Sequence, residues 1–473
     1  MNRSSGPSPV PRTPTVWETV REAVRGSRQD FTEAPIGRAV VLLAIPMVLE
    51  MLMESVFVVV DIFFVGHLGA DAIATVGVTE SLMTMVYAVA IGLAIGAAAT
   101  VARRIGEKDH DRAARAAVES IAMGVIVSSV IAGVGALYGP KLLALMGASD
   151  AVVQTGGTFA RVMIGGSGTV MLLFLINAIF RGAGDAAIAM RVLWFANGIN
   201  IVLGPCLIFG VGPFPEMGVT GAAVGTTIGR GCGVLYQLYH LTRPEGRIRI
   251  ERRHLVLHLG EMRGILRISG TAMFQNFVAT ASWIGLMRIL TGFGSAAVAG
   301  YTIGVRIILF ALLPAFGISN AATTLVGQNL GAGRADRAER AAWTAAWYNT
   351  ACLGVVSLVF VLFAPQIVGI FTDERAAAGY GVSTLRIIAA GFTFYGFGIV
   401  LTQAFNGAGD TRTPTIIHLV CLWLWEIPLA WTLAHPAGLG PTGVFIAVSV
   451  AFSTLALISA WLFRKGRWKA GKV

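Results

Sequence analysis

Twelve runs of mostly apolar residues constrain this chain more than any other feature of its sequence. A helix crosses a hydrocarbon core of about 30 Å with about 20 such residues. The runs lie near residues 40–65, 75–98, 118–138, 155–179, 189–210, 218–240, 264–291, 296–320, 342–364, 379–404, 413–434 and 441–463. Lipid offers no partners to free backbone groups, so such spans fold as helices. The sequence predicts an all-α membrane protein with twelve transmembrane helices.

Composition agrees with this class. Of the 473 residues, 55% are hydrophobic and 13% are charged, about half the charged fraction of a soluble protein. The 58 glycines suit closely packed membrane helices. The four cysteines lie within apolar runs, without the paired spacing of a disulfide framework or zinc site, and we interpret them as packing residues: Cys206, Cys232, Cys352 and Cys421.

Lysine and arginine are distributed unevenly, which predicts the orientation. If the N-terminus, the loops after even-numbered spans and the C-terminal tail share one side, 29 of the 36 Lys and Arg lie there. The positive-inside rule then makes both termini cytoplasmic, in a plasma membrane that we expect to be a bacterial inner membrane. The net charge of +11 faces anionic lipid headgroups, so no nucleic-acid partner is needed. The other side holds only Lys141 and Arg375, and five arginines fall within spans: Arg161, Arg230, Arg288, Arg306 and Arg386.

The two halves of the chain align at an offset of 225 residues. RIGEKDHDRAARAA (104–117) matches NLGAGRADRAERAA (329–342) at seven of fourteen positions, and FRGAGDAA (180–187) matches FNGAGDTR (405–412) at five of eight. Because six spans is an even number, both copies start on the same side and are parallel repeats. Two such lobes create a V-shaped molecule with a central cleft, and rocking them about that cleft gives alternating access.

These boundaries divide the chain into five segments. We expect a cytoplasmic N-terminal tail (1–37), a first six-helix lobe (38–241), a cytoplasmic linker (242–261), a second lobe (262–463) and a basic C-terminal tail (464–473). The N-terminal tail shows no apolar core of a cleavable signal. Its Val16, Trp17, Val20 and Val24 have helical spacing, compatible with a helix on the membrane surface or with a disordered tail.

The first span contains three acids: Glu50, Glu54 and Asp61. Their separations put them on one helical face, about 20° apart at most over roughly 16 Å. A stripe of carboxylates facing lipid is costly, so this face points into the protein. Two interpretations stay open, namely structural pairing with the buried arginines and a site that carries protons or cations.

Two polar residues of spans 5 and 6 have a depth that allows them to meet Asp61. These are Asn200 and Thr226, which offer amide and hydroxyl oxygens suited to sodium or to a protonated carboxyl. Helix–helix hydrogen bonding is the alternative explanation for both. The Gly204–Pro205 pair just after Asn200 leaves the carbonyl of Ile201 without its helical donor, so this bend is a hinge, an ion ligand or a packing kink.

The second half has different polar residues. Arg288 and Arg306 lie in spans 7 and 8, with His418 and Glu426 in span 11, and we expect an internal polar network of Arg288, Arg306 and Glu426. Aromatic and methionine side chains provide adaptable surface for varied ligands. The candidates for the substrate cavity are Met53, Phe57, Phe274, Gln275, Phe277 and Trp283.

Residues shared by both copies look architectural. We expect Arg161 and Arg386 to snorkel or to bind loop carbonyls, and each GAGD turn (182–185 and 407–410) to cap the following helix through its aspartate. No Walker motif accompanies these glycines, and no catalytic or metal-ligand constellation appears, so we expect neither an enzyme nor a cofactor.

These blocks together resemble the multidrug and toxic compound extrusion (MATE) family of secondary antiporters over residues 38–463. The resemblance rests on VVDIFFVGHLGADAIA, NAIFRGAGD, NGINIVLGPCLIFG with GVTGAAVGTT, and GISNAATTLVGQNLGAGRADRAER. It implies a two-lobe V around a central cavity, and export of amphipathic, often cationic, drugs in exchange for protons or sodium. By position, Asp61 matches the family's acidic coupling residue, and Asn200 and Thr226 match its polar partners.

The sequence departs from the family in two places. Gly204 stands where span 5 often has an acid, and Gln275 and Tyr395 stand where one branch has the acids of a second-lobe sodium site. The resemblance therefore implies coupling through the first lobe, at Asp61, with Glu54 as a hypothetical replacement for the missing acid.

We predict a monomeric, ion-coupled multidrug antiporter that uses protons in preference to sodium, which would otherwise bind at Asp61, Asn200 and Thr226. One alternative keeps the fold but changes the cargo, to a lipid-linked precursor or a specific metabolite, with Arg288 and Arg306 binding phosphates. A membrane receptor or scaffold without a central cavity is the remaining alternative.

Overall fold

A computed structural model describes residues 15–471, so the parts of the two predicted tails at 1–14 and 472–473 lie outside the described residues. The described chain is helical throughout, with short 3-10 turns in three connections. A π-helical stretch, Leu419–Glu426, separates α14 from α15. The helices are α1 Val16–Arg25, α2 Ile36–Gly66, α3 Ala70–Gly106, α4 His110–Leu145, α5 Asp150–Gly165, α6 Ser167–Ala183, α7 Ala186–Phe209, α8 Val219–Thr242, α9 Leu259–Leu290, α10 Ser295–Gly331, α11 Ala335–Gly369, α12 Arg375–Ala390, α13 Phe392–Gly407, α14 Arg412–His418, α15 Ile427–Ala434 and α16 Pro441–Arg464.

The predicted twelve crossings are recognisable in these helices. Within residues 15–471, eight stretches are long and apolar enough to span a membrane, among them α5 with α6 and α14 with α15. A ninth forms if α12 and α13, which meet at a bend of 60°, count as one span. The other three crossings are α2, α8 and α9, helices of 31, 24 and 32 residues. The all-α architecture agrees with the sequence prediction.

Reciprocal contacts show that the two halves share one frame. Gly92 of α3 packs against Met273 of α9, and Gly317 of α10, its equivalent 225 residues later, packs against Val48 of α2, the equivalent of Met273. Gly106 abuts the backbone of Gln328 in the same way that Gly331 abuts the backbone of Arg103. No side chain fits at these glycines, because a backbone of the other lobe occupies the space. A pseudo-two-fold axis therefore runs between α3 and α10.

The lobes meet at one face and separate towards the other. Their close contacts involve the helix ends next to the loops at 107–109 and 332–334, where α1 and the linker 243–258 also lie; we call this side the basic face. A hydrophobic cluster containing Met47, Ala321 and Leu325 crosses between the lobes. In the described chain, no hydrogen bond or ion pair joins 70–85 of α3 to 295–305 of α10. The cleft thus opens at the face opposite the basic face.

The second copy carries one additional residue in the helix equivalent to α7. In the first lobe Gly221 packs on the backbone of Leu207, and in the second Gly443 packs on Leu433, an offset of 226 rather than 225. The π-helical stretch Leu419–Glu426 accommodates this residue, as single-residue insertions in helices commonly do. In the first copy, α7 continues through Gly204 and Pro205, so the expected bend does not interrupt this helix.

Candidate ion-coupling site

Asp61 lines a small cavity on the open side of the first lobe. The cavity volume is about 30 Å³, close to the space that one water molecule occupies in the liquid and far below that of a drug. Among the described residues, no hydrogen bond or ion pair to another side chain engages the Asp61 carboxylate. The lining residues are Asp61, Val76, Thr79, Glu80, Phe159, Met163, Ala222 and Thr226.

The two predicted polar partners of Asp61 lie at this cavity. Asn200 Nδ2 donates to Thr226 Oγ1 at 2.8 Å, and both side chains are buried. Thr226 reaches the cavity wall and Asn200 lies behind it. Carboxylate, hydroxyl and amide therefore come together as the depth argument predicted. The hydrogen bond also fulfils the structural alternative, because it ties α7 to α8.

Glu54 has a different partner from Asp61, although both lie on α2. Its carboxylate accepts from Arg230 Nη2 at 3.3 Å and from Asn197 Nδ2 at 3.1 Å. Arg230 is buried beneath Phe57 and also donates to Tyr87 Oη at 3.2 Å. The charge of Arg230 lies within electrostatic range of both Glu54 and Asp61. Glu54 thus takes the structural pairing that was left open, and it influences Asp61 only through Arg230.

Glu50 belongs to a third, deeper network. It is 2% exposed, and one carboxylate oxygen accepts from Arg181 Nη1 at 2.6 Å and from Asn177 Nδ2 at 3.0 Å. Gln237 Nε2 donates in turn to Asn177 Oδ1 at 2.7 Å. Removing one member of such a pair leaves an uncompensated buried charge. The three acids of the first span therefore have three separate environments, and only Asp61 lacks an arginine partner.

Glu80 is a cavity residue that the sequence analysis missed. It lies on α3 beside Thr79 and faces the same cavity as Asp61. Arg306 of α10 lies within electrostatic range of Glu80, so this exposed arginine of the second lobe faces the first lobe across the cleft. The signal available in the sequence was a lone acid within an apolar span, the criterion that had singled out the acids of the first span.

Comparison with known proteins assigns the family. The MatE family pattern matches residues 46–206 and, a second time, residues 271–432. The two matches cover more than half of the chain and coincide with the two halves of the repeat. This chain belongs to the MATE family.

Individual MATE relatives extend over nearly the whole chain. The probable multidrug resistance protein NorM of Thermotoga maritima is 28% identical over 92% of this chain and 93% of that protein. A crystal structure of MATE in complex with MaL6 matches with a TM-score of 0.86 at 26% identity, covering 92% and 97% of the two chains. A superfamily transporter from Pyrococcus furiosus, described by the reverse polarity of its binding pocket, matches with a TM-score of 0.87 at 25% identity, covering 93% and 98%. The chain is thus a membrane transporter and not an enzyme.

The network expected in the second lobe of this MATE chain is not formed. Glu426 is 1% exposed and neither of its carboxylate oxygens has a hydrogen-bond partner among the described residues. Arg288 and Arg306 are exposed and make no ion pair in the described chain. The prediction was wrong because both arginines project away from the lobe interior, whereas Glu426 points into it between Tyr301 and Tyr395. His418 lies one turn earlier, with its Nδ1 unpartnered.

The candidate cavity residues divide into two groups. Phe274 and Phe277 are about half exposed and Met53 is partly exposed, so these three present surface. The other three are internal packing residues, which corrects the expectation for them. Phe57 is covered by Arg230, Gln275 is buried with an unpartnered Oε1, and Trp283 packs edge-on against Tyr301: Phe57, Gln275 and Trp283.

The residues shared by both copies are structural, with one difference between the copies. Arg386 Nε donates to the carbonyl of Val361 at 3.1 Å, and Arg161 is exposed. Asp410 accepts from the backbone N–H of Thr413 at 3.1 Å, as predicted for a cap. Asp185 does not cap its helix. It pairs instead with Arg247 of the linker at 3.8 Å, because that arginine folds back over the turn.

Proposed function

We propose that this MATE chain is a proton-coupled antiporter in which Asp61 is the coupling acid. The observation that carries the proposal is the contrast within α2: Glu50 and Glu54 each have an arginine partner, whereas Asp61 faces an ion-sized cavity with none. A carboxyl without a fixed counterion is free to exchange a proton with water that enters the cavity. Sodium is the less favoured ion, with Asp61 and Thr226 as its ligands at the cavity wall.

Protonation at Asp61 changes the charge balance of the first lobe. Arg230 and Glu80 both lie within electrostatic range of that carboxylate. Neutralising Asp61 removes its attraction to Arg230 and its repulsion of Glu80, so the packing of α2 against α3 and α8 is biased in one direction. A two-state lobe with such a bias can exchange a proton for a substrate. With the termini in the cytoplasm of a bacterial inner membrane, the cleft of this structure opens outward.

The proposed substrates are amphipathic, often cationic, small molecules. The relatives named for multidrug resistance support this class, and the exposed Phe274 and Phe277 offer apolar surface. The working unit is a single chain, since one chain contains the cavity, both lobes and the cleft between them.

The test is drug transport into proteoliposomes with imposed pH or sodium gradients. We expect a pH gradient to drive uptake, and Asp61→Asn to abolish coupled uptake while drug binding persists. Asp71→Asn is the matched control, because Asp71 is an exposed acid at the start of α3. Undiminished coupled uptake by Asp61→Asn would overturn the proposal, and drive by sodium alone would replace the ion.

Glu54→Gln tests the indirect role of the ion pair with Arg230. We expect an altered pH profile without loss of coupling, since Arg230 also lies within range of Asp61. An unchanged profile would restrict Glu54 to a structural role and would end the hypothesis that it replaces a span-5 acid.

One observation favours a second class of cargo. Arg288 and Arg306 are exposed and unpaired in the described chain, and Arg306 faces the first lobe across the cleft. Such arginines suit a phosphate or another anion, as in a lipid-linked precursor or an anionic metabolite. Export of anionic and cationic probes by Arg306→Gln decides between the two: loss of anion export alone supports the second class.

A further inference from the structure

Residues 26–35, between α1 and α2, cross the basic face as an extended segment that we call the strap. On the first-lobe side, Arg247 Nη2 donates to the carbonyls of Ser27 and Gln29 at 2.8 and 2.7 Å. The same guanidinium lies over the Phe31 ring at 4.8 Å and pairs with Asp185. The strap is thus attached to the linker and to the GAGD turn of the first lobe.

The other edge of the strap is attached to the second lobe. Arg334 Nη1 donates to the carbonyl of Thr32 at 2.6 Å. Arg337 Nη2 donates to the carbonyls of Phe31 and Ala34. Both arginines lie at the start of α11. Phe31 is 1% exposed and belongs to the cluster that crosses between the lobes. One short segment therefore contacts both lobes where they touch.

We propose that the strap is a clasp that holds the basic face closed, and that the lobes open there only after Arg334 and Arg337 release it. The strap continues directly into α2, and α1 is tied to α2 by the Glu22–Arg38 pair at 2.6 Å. It therefore moves with the first lobe. The two arginines move with the second lobe, so any separation of the lobes at this face must break their bonds. The proposal rests on the alternating access of the proposed function.

Pseudo-symmetry supplies a second crossing in the opposite direction. The linker leads into the second lobe, yet Arg253 pairs with Asp111 of α4 at 2.9 Å and the His258 N–H donates to Glu119 at 3.1 Å. The Arg253–Asp111 pair is mostly exposed, with 62% and 53% of the two side chains accessible, and exposed pairs contribute little. The strap bonds instead surround a buried ring. We therefore assign the larger share of the closure to the strap.

The primary experiment measures opening of the basic face directly. Ser269 is buried where α9 contacts Gly96 of α3, so a thiol introduced by Ser269→Cys in a cysteine-free background reports separation of the lobes. In nanodiscs, without drug or ion gradient, we expect Arg334→Ala with Arg337→Ala to accelerate labelling by a membrane-impermeant maleimide at least tenfold. Arg340→Ala is the matched control, because that arginine of α11 has no bond to the strap. Equal labelling rates in the double variant and the control would overturn the proposal.

A locking experiment keeps the proposal testable if the double variant folds poorly. Ala34→Cys with Arg337→Cys, bridged by a cleavable bis-maleimide, is expected to stop transport and to recover it when the linker is cleaved. Transport that continues with the bridge intact contradicts the clasp. Failure of proton coupling leaves this result unaffected, since labelling requires neither a coupling ion nor a drug. Conversely, normal coupling with unchanged labelling removes the clasp alone.

Discussion

Equivalent positions in the two lobes carry different chemistry on the same frame. Where the first lobe buries the Glu50–Arg181 ion pair, the second has Gln275 and Asn406, 225 residues later. The Gln275 Oε1 and Asn406 Oδ1 atoms have no partner in the described chain. Because the shared glycine contacts depend only on backbone approach, the frame tolerates either set of side chains. Duplication therefore preserved the packing and left the buried charges free to diverge.

The candidate site shows the same divergence more sharply. Counting from the Gly221 and Gly443 contacts, Asn200 corresponds to Glu426 and Thr226 to Val448. Asp61 corresponds to Leu286 at the offset of 225. The first lobe has an acid in span 1 and a satisfied amide in span 5. The second lobe has an acid in span 11 that has lost the hydroxyl partner. The ion-sized cavity at Asp61 is thus a property of the first copy and not of the repeat.

The largest expected effect comes from breaking the buried pair of the first lobe. Arg181→Met leaves the Glu50 carboxylate without its cation, which costs about 3–5 kcal/mol. The double variant Glu50→Gln with Arg181→Asn copies the second lobe and should recover most of this loss. Thermal unfolding in detergent micelles measures both. A double variant as unstable as Arg181→Met would show that the frame requires the ion pair.

A smaller gain is expected from giving the second lobe the first lobe's hydrogen bond. Glu426→Asn with Val448→Thr recreates the Asn200–Thr226 pair and removes two unpartnered carboxylate oxygens. We expect about 1–3 kcal/mol of added stability, the cost of leaving such buried groups unsatisfied. Val448→Thr alone is the control for the added hydroxyl. A lower unfolding temperature in the double variant would mean that Glu426 has a partner in the membrane-embedded protein.

The smallest effect concerns the strap and separates it from the coupling site by pH. Burial alone would raise the pKa of Asp30, but hydrogen bonds from Thr32 and the charges of Lys108 and Arg247 outweigh it and hold that pKa below its usual range. Stability from this carboxylate is then fully present above about pH 4 and is lost as pH falls through the lowered pKa. The penalty of Asp30→Asn, expected below about 1 kcal/mol, should be constant from pH 8 to 5. A penalty that declines across that interval would make the strap itself pH-sensitive.

The sequence predicted the parts that depend on local pattern. Apolar run length identified the spans, and the 225-residue offset identified two lobes before any contact was known. The grouping of Asp61, Asn200 and Thr226 followed from depth along helices, which residue counting measures well. Glu80 escaped because the first span's three acids drew attention away from a single acid in the second. The polar network at Glu426 failed because depth does not specify the direction in which Arg288 and Arg306 project.

Spans, repeat and family are thus determined by the sequence alone, because hydropathy and helical periodicity act over consecutive residues. The tertiary structure alone decided which acid is free. Glu50, Glu54 and Asp61 share one helical face, and their partners come from α6, α8 and the cavity wall, whose rotations are set by packing between helices. The strap is likewise a tertiary feature, since residues about 300 positions apart meet across it. Side chains find partners over a few ångströms, a scale that only the packed helices define.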